Sequence, residues 1–223
     1  LTTNLEGVIY ILTSEGEDAV LIYSLRNHWP GSSEAFGATT GQEHIAPLLA
    51  QLRAVPAGEV ILYDLSGVEH TTASYLRATV LRLLNASIRA ATETDGAPDP
   101  AGSTGELLNI FPVVANLSED VAEELQTVLE SQGCACLEAT QWNDKGILQA
   151  RIRGVLEGVL RDTLVRVVTA RSTTATMLAE REPPNTTGWN NRLAELYRMR
   201  LINRAKEGRQ WIYSSICSEV VLG

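Results

Sequence analysis

Cysteine and histidine are scarce in this chain, with three of each among 223 residues. Cys134, Cys136 and Cys217 are an odd set without a CxxC pair, and three scattered histidines do not supply the spacing of a metal site. The pattern excludes a disulfide framework and predicts no metal and no cofactor, and it fits the reduced thiols of a cytoplasmic protein. Long apolar runs are also missing. The longest, around "EVILYDL", has strand length, far below the roughly 18–20 residues of a membrane span, so no membrane partner is expected. A Gly-rich phosphate loop, a nucleophile elbow and an HExxH pair are all absent. Asp64 at the end of a predicted strand, with Glu69 and His70 close behind, is the nearest approach to a catalytic group. No second constellation supports it, so the chain is not expected to be an enzyme.

Basic residues are missing from one part only. Residues 1–146 hold 6 Lys+Arg against 20 Asp+Glu, a net of −14, whereas residues 147–223 hold 12 against 7, a net of +5. Such polarity predicts two domains, 1–146 and 147–223, with the second facing a polyanion.

In the first part, strand and helix patterns alternate. Two strands flank a turn at 14–18, and a Gly/Pro-broken loop covers 27–41. A helix over 42–58 has Pro47 in its first turn, and an almost wholly apolar strand follows at 59–67. Residues 71–92 predict a long helix that Thr71 or Thr72 can cap, and 93–105 form a polar Gly/Pro-rich stretch. A strand at 109–117, a helix at 118–133 with Ser118 as cap and Gly133 as stop, and a strand at 134–142 complete an α/β layer structure.

The second part reads as helix-rich. Residues 149–168 place Ile152, Val155, Leu156, Val159 and Leu160 on one broad face, which predicts an amphipathic helix acting as dimer seam or interdomain strut. A short helix over 173–182 ends at Pro183 and Pro184. A third helix begins at Thr186, and "LINRAKEGRQWIYSSI" predicts a hairpin around Lys206-Glu207-Gly208. On the third helix, steps of about 100° put Trp189, Leu193 and Leu196 on one side, joined by Tyr197. Trp211 and Tyr213 complete a small predicted core. Thr187, Asn191 and Arg198 fall on the far side, with Asn190 and Arg192 on the flanks. Asn pairs bidentately with adenine and Arg with guanine or phosphate. Arg204, Lys206 and Arg209 are expected to ring the hairpin tip, where backbone phosphates would lie.

"GWNNRLAELYRMRLINRAKEGRQWIY" resembles the recognition helix and wing of bacterial winged helix-turn-helix regulators, with Arg200 where a glycine often stands. "VILYDLSGVEHTTASYLRATVL" is similar to the central strand–turn–helix of STAS domains, the anti-sigma-factor-antagonist fold, over about residues 55–140. Thr72, Ala73 and Tyr75 depart from that family's Asp-Ser-Ser-Gly, while Ser74 stands at its second serine; Ala73 stands at its phosphorylated serine. Thr72 and Ser74 therefore remain as substitute phosphorylation sites or as helix caps. Together the resemblances imply a STAS-like mixed sheet with helices followed by a winged helix. The function implied is transcription regulation: a homodimer binding double-stranded DNA through Thr187, Asn190, Asn191, Arg192, Arg198, Arg204, Lys206 and Arg209. The acidic domain would sense a signal, dock a protein partner or dimerise. The alternative is a non-enzymatic interaction module whose winged helix docks a protein.

Overall fold

The computed structural model describes residues 4–5, 8–10, 20–29, 33–94 and 107–222. The turn expected at 14–18 and nearly all of the polar stretch at 93–105 lie outside them. The elements run β1 (Asn4–Leu5), β2 (Val8–Tyr10), β3 (Leu21–Ser24), α1 (Leu25–His28), β4 (Glu34–Ala35), α2 (Ala38–Leu52), β5 (Val60–Asp64), β6 (His70–Thr71) and α3 (Ala73–Leu76). A π-helical turn at Arg77–Leu81 joins α3 to α4 (Arg82–Thr94), followed by β7 (Phe111–Ala115), α5 (Glu119–Ser131), β8 (Ala135–Asn143) and β9 (Gly146–Gly154). Then come α6 (Gly158–Ala170), β10 (Ser172–Thr173), α7 (Ala175–Ala179), α8 (Thr186–Arg198), β11 (Ile202–Glu207), β12 (Gln210–Ser215) and β13 (Cys217–Val221).

One eight-stranded sheet, in the order β1-β2-β3-β5-β7-β8-β9-β13, organises the molecule. Neighbours from β3 through β8 are parallel, β9 returns antiparallel to β8, and β13 lies parallel to β9. The fold is therefore mixed α/β with a parallel-rich sheet. Parallel strands need both faces covered, and the side chains alternate accordingly. Ile61, Tyr63, Val114 and Cys136 enter the core shared with α2 through α5. Leu62, Phe111, Val113, Ala115 and Leu137 enter a second core, which also holds Leu164, Val167, Trp189, Leu193 and Leu196 of α6 and α8. The helices after residue 157 thus belong to the layer that closes the second face. The division expected between 146 and 147 falls at the tight turn of the β8–β9 hairpin.

The helix expected over 149–168 is corrected. Residues 146–154 are strand β9, and the helix begins only at Gly158. The register shifts by β-bulging between Ala139 and Trp142, so Ala150 pairs with Ala139 but Ile147 with Trp142. Ile152 of β9 and Val155 and Leu156 of the following link stand at helical spacing from Val159 and Leu160 of α6, so strand, link and helix share one apolar period. Val155 and Val159, expected on the apolar face, are 45% and 49% exposed.

Candidate nucleic-acid interface

Around α8 the local structure follows from caps and one buried indole. Thr174 Oγ1 accepts from the Met177 N–H and starts α7, and Asn185 Oδ1 accepts from the Gly188 N–H at 3.0 Å and starts α8. Gly188 has to be small, because a Cβ there would lie 2.6 Å from Pro184 Cγ. Trp189 is buried, and its Nε1–H donates to the Glu182 carbonyl at 3.1 Å, which fastens the turn before α8 to the helix. Arg166 of α6 grips the Glu182 carboxylate with two N–H groups, Nε and Nη2, the latter at 2.8 Å. That pair holds the Glu182 carboxyl below its ordinary range, first by direct hydrogen bonding.

With Trp189, Leu193, Leu196 and Tyr197 buried, the opposite side of α8 faces outward. Thr187, Asn190 and Asn191 are exposed on it. Arg192 is half-buried, its guanidinium 5.1 Å from the Trp189 ring centroid, which stiffens it at the flank. Arg198 donates to Glu195 at 2.5 Å, so a carboxylate offsets part of its charge. β11 and β12 form the expected hairpin, six pairs from Ile202–Ser215 to Glu207–Gln210, and β10 joins the outer side of β12. Gly208, at φ 58°, makes the turn. Lys206 and Arg209 are exposed at the tip together with Glu207.

Arg204 is not at that tip. It pairs with Tyr213 lower in the hairpin, and its guanidinium lies 4.0 Å from the ring centroids of both Tyr197 and Trp211. Trp211, expected in the core, is instead 38% exposed and serves as one wall of this clamp. The structure therefore places Thr187, Asn190, Asn191, Arg192 and Arg198 on α8 and Lys206 and Arg209 at the β11–β12 hairpin tip, and sets Arg204 apart.

The first half presents a different cluster. Thr72 Oγ1 accepts from the Tyr75 N–H and the Gly37 N–H and lies 3.1 Å from Ser74 Oγ, so Thr72 is the cap of α3 while Ser74 is exposed beside it. Asp64 is committed to structure: Oδ1 accepts from Ser66 N and Asn116 Nδ2, and Oδ2 from Ser66 Oγ. His70 lies in β6 with Nδ1 2.6 Å from Asp120 Oδ2, both exposed. Among the described residues no group of three or more His, Cys, Asp or Glu is placed to hold a metal, and no helix is long and apolar enough to cross a membrane.

Comparison with family models, curated proteins and solved structures finds no match.

Two arginines stand in unusual backbone positions. Arg171 and Arg200 adopt φ 62° and 61° just past the ends of α6 and α8, the positions where glycine is usual. Arg200 is buried, donates from Nε to the Ser87 carbonyl of α4 at 2.7 Å, and stacks near Phe111 and Tyr197. The signal for it was present in the sequence, as an arginine in the glycine place of a resembling pattern.

Proposed function

We propose that the chain is a non-enzymatic transcription regulator that binds duplex DNA as a homodimer, with α6 to β12 acting as a winged helix. The observation that carries this reading is the outward face of α8. A helix anchored by Trp189, Leu193 and Leu196 presents Thr187, Asn190 and Asn191 to solvent, beside a hairpin whose tip carries Lys206 and Arg209. Asn side chains at the start of such a helix suit adenine edges in the major groove, and wing cations suit the backbone. Dimerisation follows from need, since one helix reads few base pairs. The acidic sheet, in this reading, is the STAS-like part that senses a signal or docks a partner, and its charge turns the basic part toward DNA.

Fluorescence anisotropy with mixed-sequence duplex at about 50 and 200 mM salt tests the proposal. Binding should weaken steeply with salt, and replacing both Lys206 and Arg209 by Ala should reduce the log–log slope by about 2. An intact fold without binding at the lower salt sinks it. The second reading, docking of a protein on the same face, draws on Glu195 and Glu207, which place carboxylates beside Arg198 and Lys206.

A further inference from the structure

A cleft of about 580 Å³ opens between the large sheet and the three-stranded β10-β12-β11 sheet. Its volume lies within the roughly 300–1,000 Å³ of small-molecule sites. Among the described residues, three cations line it, Lys145, Arg171 and Arg204, against a single carboxylate, Glu59. In a chain of net charge −9 this is a local reversal of sign.

The cations come from three separate elements and are differently prepared. Arg204 holds its guanidinium 4.0 Å from the ring centroids of both Tyr197 and Trp211, and a stacked guanidinium has the planar donor edge that meets a carboxylate or phosphate. Arg171 occupies a backbone conformation that favours glycine, yet its side chain is exposed and makes a long hydrogen bond, 3.5 Å, to the Cys217 carbonyl. Packing does not account for an arginine there; an anion in the cleft does. Lys145 reaches in from the β8–β9 turn, and Asn109, Ser214 and Ser218 add neutral polar groups to the wall.

We infer that this cleft binds a small molecule bearing two or more anionic oxygens, as carboxylate or phosphate groups. The ligand would bridge the β8–β9 turn, the end of α6 and the base of the β11–β12 hairpin. This assignment stands independently of whether α8 binds DNA.

Isothermal titration of the full chain with citrate and with inorganic pyrophosphate, at ionic strength matched by sodium chloride, tests it. One probe or both should bind saturably at one site per chain, citrate indicating a carboxylate ligand and pyrophosphate a phosphate one. Lys145→Gln and Arg171→Gly should each weaken that binding about tenfold, the loss of one charge-assisted contact. Arg171→Gly relieves a strained backbone, so its loss of binding cannot come from unfolding, which the thermal transition of the same sample verifies. Absence of saturable binding by both probes, or unchanged affinity in both variants, overturns the inference.

Discussion

Arg171→Gly and Arg200→Gly make the same backbone change at equivalent places, and the structure requires them to act in opposite directions. Both residues have φ near +60°, at 62° and 61°. An L side chain in such a region costs about 1–2 kcal/mol relative to glycine. Glycine loosens the unfolded chain by roughly 0.4–1 kcal/mol, so the backbone alone favours it by about 0.5–1 kcal/mol. The side chains decide the rest. Arg171 is exposed and loses only a 3.5 Å contact, so Arg171→Gly should stabilise by about 0.5 kcal/mol. Arg200 is 1% exposed, donates to Ser87 O at 2.7 Å, and holds its guanidinium carbon 5.1 and 5.2 Å from the Phe111 and Tyr197 rings. Its loss removes a charged hydrogen bond worth about 1.5–3 kcal/mol and ring contacts worth about 0.5–2 kcal/mol. After the backbone gain, Arg200→Gly should destabilise by about 1–4 kcal/mol. Urea denaturation followed by tryptophan fluorescence measures both. An Arg200→Gly protein as stable as its parent, or an equal loss in the two variants, would refute the reasoning.

Thr72→Ala removes the acceptor for the Tyr75 and Gly37 N–H groups and should cost about 1–2 kcal/mol in the same assay, with Thr72→Ser close to the parent. Burial holds the His44 imidazole below its ordinary pKa and pushes Tyr75 up to about 12, so the pair 3.0 Å apart is neutral near pH 7. Because the unfolded chain takes up the His44 proton more readily, stability should be level above about pH 6.5 and fall as pH drops from there toward the lower folded value. Urea midpoints from pH 8 to 5 check this, and His44→Gln should flatten the acid side of the profile. Asn190→Ala with Asn191→Ala should lower sequence discrimination in a DNA selection and leave the salt slope unchanged, since neither carries charge.

Much of this was legible because local chemistry and tertiary structure agree. Ser118 caps α5 and Gly133, at φ 61°, stops the chain after it, as their residue types demand. The almost wholly apolar "VILYD" is buried on both sides, as expected of a central parallel strand. Trp189, Leu193 and Leu196 turn inward together because their spacing leaves no other face for them. What failed was non-local. β9 reads as helix because Ile152, Val155 and Leu156 continue the spacing of Val159 and Leu160 in α6, and only the pairing of β9 with β8 shows where strand gives way to helix. Trp211 and Arg204 were assigned by residue type, one to a core and one to a phosphate. Their mutual stacking at 4.0 Å depends on how the hairpin lies over Tyr197.

The same non-local packing bears on how the two charge-segregated halves work together. If a flexible linker joined them, the acidic half would influence α8 only by long-range repulsion, which salt screens within about 10 Å at 0.1 M. Here β13 extends the large sheet beside β9, and Trp189 and Leu193 of α8 belong to the same core as Val113 and Leu137 of the sheet. Arg200, one turn from Tyr197, adds a direct bond to α4. Interiors packed this densely shift between discrete arrangements instead of deforming continuously. Any event that moves β7, β8 or α4 therefore has to repack against α8, which gives the sheet a contact route to the helix carrying Asn190 and Asn191 in addition to the screened field.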